Sequence, residues 1–64
     1  MRLELQNATQ LEYVKFFIWD GQALNEAIAF SKRMWLKNRL DRAEWIDFSE
    51  DELEELKVYD ASFN

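Results

Sequence analysis

Sixty-four residues make one domain at most, and a domain this short is marginally stable unless its core is unusually dense or something else supports it. There is no cysteine and no histidine, which removes disulfides, thiol chemistry and the usual zinc and haem sites. The formal net charge of −5 disfavours general binding to nucleic acid or to anionic membranes.

Residues 1–6 alternate, with Met1, Leu3 and Leu5 against Arg2, Glu4 and Gln6, which is the period of a half-buried strand. Residues 7–10 are polar and short and suit a hairpin connection. Residues 11–19 are dense in strand formers and predict a second strand. Val14, Phe16 and Ile18 share one face of it, and Tyr13, Phe17 and Trp19 the other, so both faces need cover. Asp20-Gly21 ends that strand, with Asp20 set to cap the next element.

Residues 22–37 show helical spacing. Ala23, Leu24, Ala27, Ile28, Phe30, Met34 and Trp35 fall on one broad stripe, and Asn38 closes the helix. Ala29, Leu36 and Leu40 form a thinner second stripe, available as a dimer contact. Residues 43–48 alternate weakly and are read as a third strand. Ser49-x-x-Glu52 is a capping box. It opens an acidic helix whose thin apolar edge is Leu53, Leu56 and Tyr59. The expected fold is α+β in the order β-β-α-β-α: an antiparallel hairpin and a third strand on one long helix, with a short acidic C-terminal helix. Residues 1–64 form a single domain.

Charge is the most distinctive functional feature. From Glu44 to Asp60 the chain carries eight acids against one base, Lys57. Just upstream, Lys32, Arg33, Lys37, Arg39 and Arg42 form a basic cluster. Capping and the helix dipole account for Glu50, Asp51 and Glu52. They leave Glu44, Asp47, Glu54 and Glu55 as candidates for docking on a basic partner, against the alternative of a merely solvated helix face. The basic cluster reads either as phosphate-binding or as internal pairing with the acids. Tyr13, Trp19 and Trp45 are candidate anchors, because Trp and Tyr carry much of the energy of protein interfaces. The competing reading is that the terminal helix covers them.

Catalysis has little to stand on. Ser31, Ser49 and Ser62 have no imidazole to activate them. Gly21 is the single glycine, so there is no phosphate-binding loop. The acids of 47–55 lack calcium-loop spacing. The expectation is no enzyme, no cofactor and no metal. The first four residues interrupt any apolar signal region with charge, and no apolar run approaches the ~18 residues of a membrane span. A cytoplasmic location and no membrane partner are therefore expected.

In size and acidity the chain resembles small phage- or plasmid-borne inhibitor proteins, such as polymerase inhibitors, anti-restriction and anti-CRISPR proteins and antitoxins. That resemblance implies a module that inhibits or modulates a larger protein, in the manner of a DNA mimic occupying a basic, nucleic-acid-binding groove. The alternatives are a dimeric nucleic-acid-binding regulator using the 32–42 cluster, and a homo-oligomeric structural subunit.

Overall fold

The described residues are 8–38 and 44–63 of a computed structural model. Among them the chain forms three α-helices and no strand: α1 (Gln10–Trp19), α2 (Leu24–Asn38) and α3 (Glu50–Ala61). The expected α+β fold is therefore corrected to an all-α one. The first expected strand, 1–6, lies outside the described residues.

The second expected strand is α1, and its start explains why. Thr9 caps the helix: its hydroxyl oxygen accepts from the Glu12 N–H at 3.2 Å, and the Glu12 carboxylate accepts from the Thr9 N–H at 3.0 Å. This reciprocal pair satisfies two of the N–H groups that a helix start otherwise leaves open. The buried residues of α1 are Tyr13, Val14, Phe17 and Ile18, which recur at i, i+1, i+4 and i+5. A helix puts those four on one face. Glu12, Lys15 and Trp19 then fall on the outer side, whereas a strand would have set a charge on each apolar face.

The Thr9 N–H holds the Glu12 carboxylate below its ordinary range, helped by the Thr9 hydroxyl and by Lys15. A lowered folded-state value means stability that is present above the ordinary glutamate value of 4.5 and lost as pH falls through the lower folded one. Glu12→Gln is therefore expected to be less stable than the parent at neutral pH, with the gap closing below that window. Thermal melts of both proteins from neutral pH downward check this, and a gap that stays constant with pH contradicts it.

Asp20 caps the end of α1 and does not open α2. Gly21 follows at φ +110°. The Gly21 N–H donates to the Ile18 carbonyl at 3.0 Å and the Gln22 N–H to the Phe17 carbonyl at 2.9 Å, which is the paired closure of a Schellman turn. An added Cβ at Gly21 would meet nothing within 4 Å, so the cost of Gly21→Ala is backbone strain alone. It is expected to be about 1–2 kcal/mol, a fall of roughly 4–15 °C in Tm. An unchanged melting curve contradicts the left-handed turn.

α2 matches its expected range closely, starting at Leu24 and ending with Asn38. Its buried line is Ala27, Ser31 and Trp35, one residue per turn. Ser31 is fully buried, and its hydroxyl has no hydrogen-bond partner among the described residues. Tyr13 packs on Trp35 and Phe17 on Phe30, so numbering rises along α1 as it falls along α2, and the two helices are antiparallel. α3 runs with α1: Glu52 lies near the start of α1 and Phe63 near its end.

The third expected strand is corrected too. Residues 44–49 are irregular, with no neighbouring strand among the described residues. The side-chain amide of Gln10 takes that role at one residue. Its Nε2 donates to the Ile46 carbonyl at 2.6 Å, and its Oε1 accepts from the Ile46 N–H at 3.0 Å. On either side Trp45 and Phe48 turn inward. Edge-to-face rings then run Tyr13–Trp35–Trp45–Phe48 at centroid distances of 5.2, 5.8 and 5.3 Å, joining α1, α2 and the connection to α3. Each such contact adds about 0.5–1.5 kcal/mol beyond its buried area.

α3 starts as the sequence predicts. The Ser49 N–H donates to the Glu52 carboxylate at 2.9 Å, and the Glu52 N–H donates to the Ser49 hydroxyl at 3.3 Å. Leu56 is its one fully buried side chain, with Leu53 and Tyr59 half-buried beside it.

Candidate functional site

The candidate anchors separate once the fold is α-helical. Tyr13 is 1% exposed and lies between α1 and α2, so it supports the core and offers nothing to a partner. Alternation sets it and Phe17 on one strand face with Trp19, whereas helical geometry turns Tyr13 and Phe17 toward α2. Trp45 is half-buried against Trp35 and Phe48 and positions the 44–48 segment. Trp19 is 63% exposed at the last position of α1, with the Phe16 ring 6.0 Å away behind it.

The acids stand outward. Glu44, Asp47, Glu54 and Glu55 are all exposed. Glu55 shares its charge with Lys15, whose Nζ lies 2.7 Å from the Glu55 carboxylate and 5.4 Å from the centre of the Tyr59 ring. That contact ties α1 to α3 at the surface, where such pairs contribute at most about 1 kcal/mol. It places Glu55 of α3 beside the middle of α1, and Trp19 stands one helical turn beyond Lys15.

Lys32, Arg33 and Lys37 are exposed on α2, and no ion pair joins them to an acid among the described residues. The two charge clusters therefore do not neutralise each other there. Arg39 and Arg42 lie outside the described residues. A shallow groove of about 530 Å³ opens where the starts of α1 and α3 meet, with Leu11 and Trp35 as its floor and Asp47 and Glu52 on its rim. Among the described residues no group of three acids converges as metal ligands, and no helix is long and apolar enough to cross a membrane.

Sequence reasoning passed over two exposed apolar side chains, Ile46 at 71% and Val58 at 63%. Val58 was recoverable. It lies four residues after Glu54 and three after Glu55, on the side of α3 away from the Leu53–Leu56–Tyr59 edge. Ile46 was not, because its exposure depends on the Gln10 clamp, which joins residues 36 positions apart.

Comparison with family models, with curated proteins and with solved structures gives no match for this chain.

Proposed function

We propose that the protein is a binding module that docks on a basic surface of a larger protein and inhibits or modulates it. Its acids supply approach and orientation, and Trp19 supplies short-range grip. The observation that carries this reading is the exposure of Glu44, Asp47 and Glu54 while the bases of α2 remain unpaired with them. Complementary charge mainly raises association rates and sets specificity, and it weakens with salt. A large exposed aromatic such as Trp19 adds a desolvated contact that slows dissociation. A partner groove that normally holds nucleic acid has the required sign.

The test uses the immobilised protein, a lysate of its source, and two variants. Glu44→Lys with Glu54→Lys leaves the Lys15–Glu55 pair and both capping boxes intact. It is expected to abolish salt-sensitive retention of basic-surfaced proteins. Trp19→Ala is expected to weaken binding of a retained partner by roughly 30-fold, the size of an interface hot spot. Equal retention by parent and charge-reversed protein removes the acids from the mechanism.

A second reading rests on Lys32, Arg33 and Lys37, which are exposed in a row on α2 and would contact nucleic-acid phosphates. Gel shifts at low salt decide it, since phosphate-driven binding is strongest there. No shift ends that reading.

A further inference from the structure

Two outer faces of the molecule carry the same layout with opposite charge. On α2, Ala29, Lys32, Arg33 and Leu36 follow at i, i+3, i+4 and i+7 and are all exposed. On α3, Asp51, Glu54, Glu55 and Val58 follow at the same intervals and are all exposed. That spacing lines four side chains along one side of a helix. Each row ends on an apolar residue, Leu36 at 62% and Val58 at 63% exposure, with two like charges one turn before it. Neither apolar residue belongs to the core.

We propose that the α2 row of one copy of this chain docks on the α3 row of another. Lys32 and Arg33 are in no ion pair among the described residues. Of the acids, Glu55 is shared with Lys15, which leaves Asp51 and Glu54 to receive them. Leu36 and Val58 supply apolar area that the isolated chain leaves in water. Two charges run against the pattern, Glu26 before Ala29 and Lys57 beside Val58. With the two rows parallel, Leu36 meets Val58 while Lys32 and Arg33 face Glu54 and its neighbours, and Glu26 and Lys57 lie to the side of the contact line on their own helices.

The net charge of −5 on each copy opposes association, but distance decides between the two effects. The molecule measures 16 Å across its shortest axis, so the centres of two copies stand farther apart than the screening length of about 10 Å at 0.1 M salt. The contact pairs lie well inside that length. The contact is also heterologous: each addition leaves one α2 row and one α3 row free. Assembly therefore passes the dimer unless the copies close into a ring.

Sedimentation of the purified chain over rising concentration tests this, and it stands apart from the partner reading because no other protein is present. At about 0.1 M salt the weight-average mass is expected to climb above twice the 7.8 kDa of one chain. At about 1 M salt it is expected to return to one chain. K32E/R33E makes both rows acidic, and D51K/E54K makes both basic while leaving the Lys15–Glu55 pair in place. Each alone is expected to sediment as a single chain, while their equimolar mixture associates. Leu36→Ser, at a position outside the core, is expected to weaken association about tenfold. A parent protein that stays at one-chain mass throughout overturns the proposal. So does a mixture no heavier than its components, or association by either charge variant alone.

Discussion

Trp35→Ala is expected to leave the chain largely unfolded at room temperature. Trp35 is 5% exposed and sits between the Tyr13 and Trp45 rings. Truncating a buried tryptophan costs about 3–5 kcal/mol. Total stability for 64 residues is about 3–10 kcal/mol, so the loss removes a large share of it or all of it. The effect should also spread along the chain. Without Trp35, Trp45 loses its ring contact with α2, and the 44–48 segment is then held by Phe48 and the Gln10 amide. Circular dichroism on heating is expected to show either no cooperative transition or one lowered by roughly 15–35 °C. A Tm within a few degrees of the parent contradicts the central place given to this ring.

Leu56→Ala is the second large effect, and its cause is different. Leu56 is the single fully buried residue of α3, so the helix docks through one side chain and two half-buried neighbours. Large-to-small changes at such a site cost about 2–5 kcal/mol, and the expected fall in Tm is roughly 10–30 °C. α3 carries four of the nine exposed acids among the described residues, Glu50, Asp51, Glu54 and Glu55, so this variant also separates fold from charge. It should lose acid-dependent binding in proportion to the helix it loses, whereas Glu54→Lys should lose binding at full helicity. A normal melt for Leu56→Ala means that α3 is held by something other than this contact.

Part of the fold was legible in the residues. α2 was, because its fifteen residues give four turns over which only one period fits the stripe from Leu24 to Trp35. The start of α3 was, because Ser49 and Glu52 form a motif with a geometric meaning. α1 was not read correctly, although the same signature stands at its start as Thr9-x-x-Glu12. Between Leu11 and Trp19 nearly every residue is apolar, and a nine-residue apolar run satisfies a period of two almost as well as 3.6. Strand propensity then decided, and propensity yields to tertiary packing. The charges at Glu12 and Lys15 carried the correction, since only a helix sets both outside. The 44–48 segment was misread for another reason. Alternation there reflects two aromatics dropping into a core, a feature that exists only once α1 and α2 are in place.

The site inherits these successes and errors. Exposure of Glu44, Asp47 and Glu54 needs only the rule that unpaired carboxylates stay in water, and Glu55 is exposed while paired with Lys15. Which aromatics reach the surface depends on the period assigned to residues 11–19. Under alternation Tyr13 and Trp19 share a face. On a helix they are six residues apart and point to different sides, one into the core and one out of it.

The α-helix over residues 10–19 therefore decides which side chains can meet a partner, and backbone NMR measures it directly. Helical Cα shifts are expected without a break from Gln10 to Trp19, with Tyr13 ring protons close to Trp35 and the Trp19 indole N–H exchanging freely with solvent. Strand-like shifts over the same residues, or a protected Trp19 with a solvent-exposed Tyr13, would contradict both the fold and the surface drawn from it.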